Sequence, residues 1–341
     1  MQHSNWRDMN IAAVGLGCWQ LGGGESEGDW GQVSDDQALA VLQAAYDAGT
    51  RLFDTAEGYG GGRSERRIGM FLNTLPQGAR DKVLIATKIG SNRSNTADIS
   101  AELRRATEAS LERLGTSSLF LTQLHCWNNE QATARATWDA LGRLQDDGLV
   151  KHVGASVETV QQANEAVDAG AEWLQIIFNA FRQRPLSEGL LERCRREQVG
   201  VLVRLPLASG LLAGRFGRGG TYQTHDDLPP GDHRRYNRDG QAFNVGETLA
   251  GLTLEAGIAA ADKALPVLRN AVGHGVSDAQ AALRWVLDHP GVTCVIPGAS
   301  SPEQARANAA AGDLPPLPGD AHAALQTIWR NDVDPLVRGR Q

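Results

Sequence analysis

Residues 150–179 read VKHVGASVETVQQANEAVDAGAEWLQIIFN, and this stretch decides the fold class. Val150–Ser156 is a short apolar run suited to a strand. Val157, Val160, Ala163 and Val167 then recur at helical spacing, and Trp173–Asn179 is apolar again. Together they make one strand–helix–strand unit. Neither run alternates polar with apolar residues, as expected of strands buried on both faces of a parallel sheet.

Outward from this unit the same pattern repeats. Further strands are expected at Ala12–Gly17, Arg51–Thr55, Val83–Lys88, Leu119–His125, Gly200–Pro206 and Thr293–Pro297, eight in all. Between them, Ala38, Val41, Leu42 and Ala45 share a helical face behind a Ser34 cap. Leu103, Ala106, Ser110, Leu111 and Leu114 share another, with Ser100 as its expected cap. Ser277 is expected to cap the helix carrying Trp285 and Val286. Eight unbroken units predict a single (β/α)8 TIM barrel over residues 1–341. An open doubly wound sheet would carry G-x-G-x-x-G after the first strand, and none is present. The segment before Ala12 is expected to plug the bottom of the barrel. A long loop, Leu207–Gly246, follows strand seven, and an extra helix follows strand eight.

Composition narrows the function. Of 341 residues, 41% are hydrophobic and 21% charged, as in an ordinary globular protein. The net charge of −7 argues against a nucleic-acid partner, which needs a basic surface. Cys18, Cys126, Cys194 and Cys294 are too dispersed for metal-ligand spacing. They predict reduced thiols in a cytoplasmic protein. The N-terminus carries no apolar leader, so no signal peptide is expected, and no run is long enough for a membrane span.

Barrel enzymes carry their chemistry at the C-terminal ends of the strands. Strand two runs into FDTAEGYG with Asp54 and Tyr59, strand three ends on Lys88, and strand four on His125. A lysine beside a tyrosine favours the phenolate and makes the phenol a better acid. Asp54 can keep a buried lysine charged. His125 can donate a hydrogen bond to a carbonyl oxygen where charge develops. Singly, each residue could be structural. All four on neighbouring strand ends point to acid–base chemistry. After strand eight, Ser301, Pro302 and Glu303 form a helix start able to receive an anion. After strand seven, RLPLASGLLAGR (Arg204–Arg215) is a turn of small residues that a pyrophosphate could approach.

The chain resembles the aldo-keto reductase family over nearly its whole length. The motifs are DTAEGYGGGRSERRIG (Asp54–Gly69), GLGCW (Gly15–Trp19), IATK (Ile85–Lys88), LTQLH (Leu121–His125), KHVGAS (Lys151–Ser156), QIIFN (Gln175–Asn179) and IPGAS (Ile296–Ser300), each on its expected strand. The resemblance is to the bacterial branch that contains potassium-channel β subunit-like reductases. It implies NADP(H) as cofactor and a small-molecule carbonyl substrate. Tyr59 would be the general acid, Lys88 its activator, Asp54 the lysine's partner and His125 the carbonyl-orienting residue. Ser156 and Gln175 match the nicotinamide-amide positions, with Asn179 close by. Cys18, Trp19 and Gln20 match the cofactor edge. Leu207, Ser209 and Arg215 match the pyrophosphate region, and Ser300, Gln304 and Asn308 the adenosine-phosphate end. Trp19, Tyr59, His125 and Trp127 are the expected substrate-binding residues.

Three departures stand out. Val157 replaces an asparagine, Arg204 replaces the aromatic ring that stacks on nicotinamide, and Gly298 and Gln304 replace a lysine and an arginine. The expected function is therefore NADPH-dependent reduction of an aldehyde or ketone, sugar aldehydes included, with a modest preference for NADPH. One alternative is a cofactor-binding redox-sensing subunit with little turnover. A Schiff-base isomerase or lyase using Lys88 is a second; it needs a depressed lysine pKa, which Asp54 opposes.

Overall fold

The computed structural model describes residues 2–23, 31–91, 96–127, 129–229 and 231–339. Pro230, within the long loop, lies outside them. Two strands, β1 (His3–Trp6) and β2 (Met9–Ala12), form an antiparallel hairpin. Eight parallel strands follow in chain order: β3 (Leu16–Gly17), β4 (Leu52–Asp54), β5 (Leu84–Gly90), β6 (Leu119–His125), β7 (Val150–Ser156), β8 (Trp173–Ile177), β9 (Gly200–Arg204) and β10 (Cys294–Val295). Parallel bridges Val14–Val295 and Gly17–Gly298 join the first strand to the last and close the barrel. Gly15 N donates to Val295 O at 2.8 Å across this seam, and Val295 N to Ala13 O at 2.9 Å.

Several strands are shorter than expected. Residues 9–12 belong to the hairpin rather than to the first barrel strand. The runs to Asn179 and Pro206 end at Ile177 and Arg204, because Asn179 turns back to bridge Arg182 and the proline has no N–H for a ladder.

The helices follow the apolar stripes. Asp35–Asp47 starts with a capping box between Ser34 and Gln37, and Asp278–Leu287 with one between Ser277 and Gln280. The helix Ile99–Leu114 is capped by Asp98, which accepts from Ala101 N at 3.0 Å, and not by Ser100, which sits inside the first turn. Val157 likewise lies outside its expected helix. Thr159 caps Val160–Ala169 and leaves Val157 in the loop after β7.

Inside the barrel, side chains fall into layers two residues apart, as the strand period requires. The lower layer is apolar: Leu52, Ala86, Leu121, Trp173, Leu202 and Cys294 pack in one cluster. Trp6 and Ile11 of the hairpin complete it, so the N-terminal segment plugs the bottom. Trp6 anchors there by donating from Nε1 to Gln198 O at 2.9 Å. Two residues further along the same strands stand Asp54, Lys88, Gln123, Gln175 and Arg204. A floor of hydrocarbon thus carries a layer of polar groups. Among the described residues no helix is long and apolar enough to cross a membrane.

The width of Trp173 dictates its neighbours. It pairs in register with Gly154 on one side and Gly200 on the other. A Cβ added at Gly200 would fall inside the indole, and one at Gly154 would meet the Trp173 backbone. Gly200→Ala should therefore cost roughly 1–3 kcal/mol in denaturant unfolding, as overpacking does. Combining it with Trp173→Leu should recover much of that loss, and equal losses in both backgrounds would show that the two residues do not compete for space.

Candidate functional site

At the C-terminal end of the barrel, Lys88 is fully buried. Its Nζ donates to Asp54 Oδ1 at 2.6 Å, to Thr55 O at 2.7 Å and to Tyr59 Oη at 3.3 Å. The other Asp54 oxygen accepts from Gln175 Nε2 at 2.6 Å, with Gln123 at 3.5 Å. Burial opposes the charge on Lys88, but Asp54 and Tyr59 outweigh it and hold its pKa above the ordinary value. A neutral, nucleophilic amine is thus disfavoured, against the Schiff-base alternative.

Tyr59 departs from expectation. Burial pushes its pKa up to about 12, and the Lys88 cation opposes this only in part, with Asp54 pushing up as well. The lysine does lower the phenol's pKa, as the sequence suggests, but desolvation is larger. The group is a phenol throughout the neutral range. His125 lies edge-on to it, ring centroids 5.9 Å apart. Burial, with Lys88 and Arg204, holds the imidazole well below its ordinary pKa. A neutral ring remains able to donate from one nitrogen.

A continuous cleft of about 1150 Å³ opens above these groups. Trp19, Gln20, Asp54, Tyr59, His125, Gln175, Arg204, Leu207, Ser209, Arg215, Gly298, Ser300, Gln304 and Asn308 all line it. Four expected residues, Lys88, Ser156, Cys18 and Trp127, do not. Cys18 is fully buried, its thiol turned to Leu16 O. Trp127 is packed in the core, where its Nε1 donates to Ile89 O at 2.9 Å. Ser156 also lies beneath the surface, but its Oγ is buried without a hydrogen-bond partner among the described residues. Arg204 Nε is in the same position. Unsatisfied buried polar atoms are costly and are usually met by a ligand or water.

The chain after β9 bends sharply. Leu205, Ala208 and Ser209 have positive φ (52°, 48° and 56°) and so does Gly210 (105°). Left-handed conformations are costly for side-chain-bearing residues and recur at ligand clamps. Asn179 Nδ2 steadies the bend by donating to Leu205 O at 2.9 Å. Above it, Arg234 forks onto Asp232 at 2.8 and 2.5 Å and donates to Ser209 O at 3.1 Å. The long loop is thus fastened to the turn, and its Phe243 and Tyr236, with Glu247 just beyond it, reach the cleft wall. Sequence reasoning missed these, because a loop without periodicity gives no sign of which side chains turn inward.

At the far end, Ser301 caps the helix Pro302–Ala310 as expected. Ser300 N and Oγ both donate to Gln304 Oε1, at 2.9 and 3.0 Å. An added Cβ at Gly298 would overlap the Gln20 amide, so glycine there makes room for Gln20. Arg306 is exposed, paired with Glu303 at 3.0 Å and not on the cleft wall.

Cys126, Glu158 and Glu247 bring ligand-type atoms within 4.8 Å of one another. Burial, reinforced by Glu247, pushes the thiol up to about 12, and Glu247 Oε2 already holds Arg204 Nη1 at 3.0 Å. The cluster is built around an ion pair rather than a metal ion.

Residues 13–330 match the Aldo/keto reductase family, and the chain belongs to it. It is 29% identical to the aldo-keto reductase YhdN of Bacillus subtilis, with 90% of this chain and 87% of that protein covered. It is 28% identical to the NADH-specific methylglyoxal reductase of Escherichia coli, with 97% of each covered. A solved aldo-keto reductase from Klebsiella pneumoniae in complex with NADPH superposes with a TM-score of 0.67 at 26% identity, covering 95% of this chain and 93% of that one. The protein is thus an oxidoreductase of the aldo-keto reductase family. The cleft suits a dinucleotide such as that neighbour's NADPH: its wall carries a strained turn of small residues, the start of a capped helix, and Arg204, whose Nε is a buried donor without a partner among the described residues.

The buried ion pair makes a sharp prediction. Asp54→Asn leaves a lysine cation without its counter-ion and should cost about 3–5 kcal/mol of unfolding free energy. Lys88→Met in the same chain should recover part of this, so the double change is less than additive. Additive losses in urea unfolding would show that the two residues are energetically independent.

Proposed function

We propose that the protein reduces aldehydes, polyhydroxylated ones among them, with Tyr59 as proton donor. The observation that carries this reading is Lys88 Nζ standing between Asp54 Oδ1 and Tyr59 Oη at the floor of the cleft. When bound, NADPH supplies the hydride that the carbonyl carbon accepts.

The remaining work falls to the chain's own side chains. His125, uncharged, donates a hydrogen bond to the carbonyl oxygen and orients it. Tyr59 Oη–H gives its proton to that oxygen as charge develops there. An alkoxide is a stronger base than a phenolate, so the transfer is favourable even from a phenol of raised pKa. Lys88 stabilises the phenolate left behind, and Asp54, held by Gln175, keeps Lys88 charged and in place. Ser156 Oγ and Gln175 hold the nicotinamide amide. Ser209 and Arg215 take the pyrophosphate, and Ser300, Gln304 and Asn308 the adenosine end.

The shape of the substrate end supports a hydroxylated substrate. Trp19 stacks on Tyr59 at 5.9 Å and 21°, and Phe243 meets Trp19 edge-on at 6.0 Å. This aromatic wall shares the cleft with Glu158, Glu247 and Arg204. An apolar face opposite hydrogen-bonding groups suits a sugar-like chain, which has C–H faces and hydroxyl edges.

Tyr59→Phe should lower kcat by about 10²–10⁴ while leaving NADPH affinity nearly unchanged, the usual worth of a general acid. Near-normal turnover of every substrate in an aldehyde panel would remove Tyr59 from the mechanism. Cofactor choice is a separate matter. Ser300 and Gln304 are neutral and Arg306 is balanced by Glu303, so among these described residues no unbalanced cation is left for the 2′-phosphate end. NADPH should be preferred over NADH by less than about tenfold in kcat/KM, since only hydrogen bonds to the charged group favour it. A preference of several hundredfold would contradict this account of the adenosine end.

A further inference from the structure

We propose that Glu247, just after the long loop, sets the balance between oxidised and reduced cofactor by masking the charge of Arg204. The inference rests on the cofactor placement proposed above, with the nicotinamide amide at Ser156 and Gln175. Those two residues pair in register on β7 and β8, and Arg204 ends the next strand, opposite Ile177. Arg204 Nη2 reaches back to donate to Val157 O at 3.2 Å. Its guanidinium therefore spans the strand ends that would hold the ring.

The reduced nicotinamide ring is neutral and the oxidised ring is a cation. A fixed cation beside it penalises one form and not the other. The Arg204 side chain is only 11% exposed, so water screens it weakly. The carboxylate that answers it, Glu247 Oε2, lies 3.0 Å from Nη1 and is itself 15% exposed. Glu247 is not placed there by chance packing. Its backbone oxygen accepts from Ser209 Oγ at 3.3 Å, and Ser209 Oγ accepts from Leu249 N at 3.1 Å, which ties this end of the loop to the turn after β9. Across from the pair, Asp54 and Lys88 neutralise each other, while Tyr59 and His125 carry no charge. Glu158 and Asp232 are further carboxylates on the cleft wall, Asp232 being held by Arg234. Arg182, a second buried cation, neighbours both Arg204 and Glu247 and donates to Gly246 O at 3.3 Å. The charge balance at the ring is therefore set by Arg204, with Arg182 behind it, and the acids facing them, Glu247 being in direct contact with Arg204.

The test is nucleotide binding, read by fluorescence titration with NADP⁺ and NADPH separately. In Glu247→Gln, Kd for NADP⁺ should rise about tenfold relative to that for NADPH, the order expected of one unmasked charge in a partly screened cleft. In Arg204→Gln the ratio should move the opposite way, because an uncompensated carboxylate remains. The double variant should return to within about twofold of the native ratio, because removing one charge of each sign at the ring cancels. Equal shifts in both constants would make Glu247 a loop anchor only and overturn the proposal. If Glu247→Gln does not fold, Arg204→Gln still decides it, since the direction is specified: a ratio that stays put or moves against NADP⁺ overturns it. A native chain that binds neither nucleotide would defeat the cofactor placement itself, a result distinct from equal shifts.

Discussion

A lysine with no exposed surface has to be answered by charge, and at Lys88 the answer is the 2.6 Å contact to Asp54. Most of the upper barrel follows from that requirement. The remaining Asp54 oxygen needs donors, and Gln175 and Gln123 supply them from two other strands. Thr55 gives its carbonyl to the same ammonium, so the chain leaving β4 turns immediately above it. The turn that results is the one that carries Tyr59. Removing the ion pair would leave four strands pointing polar groups at each other without a common partner. The hydrocarbon layer beneath, closed by the hairpin, is what keeps water from replacing the pair.

The parallel unit at residues 150–179 was legible because its strands are buried on both faces and its helix has a clear stripe. The strand-end residues Asp54, Lys88 and His125 were legible for the opposite reason, being ionisable groups that interrupt apolar runs. Less visible was the alternation within those runs. Leu52 with Asp54, Ala86 with Lys88, and Trp173 with Gln175 point into the barrel, while of the residues between, Phe53 and Leu174 are also apolar and Thr87 is a small polar residue bonded to Glu65. Polarity does not cleanly separate the two sets, so the inward register appears only when the barrel is closed. Gln123, two residues before His125, could have been found this way.

Tyr59 and Ser100 show two limits of local reasoning. The spacing of Tyr59 and Lys88 predicts the sign of their interaction correctly, yet how deeply the phenol is buried depends on Trp19 and the distant loop. For the helix after β5, Ser100 and Asp98 are both able caps, and the chain selects whichever residue lies one step before the first helical turn. Trp127 shows a third limit. An indole two residues after the strand-end His125 looks like a pocket wall, but the positive φ of Cys126 swings it down to Ile89 instead. The residues of the long loop and just beyond it escape such reasoning altogether, since Glu247, Asp232 and Arg234 gain meaning only from partners far away in the chain.

The seam that joins Val14 to Val295 has a consequence for how the molecule comes into being. Every other strand pairs with a neighbour that is already present or about to be made. The first strand must wait for the last, because its second neighbour is synthesised near the end of the chain. Until then the growing sheet has two open edges and a hairpin plug whose socket lacks Cys294 and Ile296. Contacts between distant parts of a chain are slow to form, since a large loop must be ordered before they repay it. Closure therefore belongs to the late stage of folding, and a ribosome halted before β10 would hold an unfinished sheet prone to pairing with other chains.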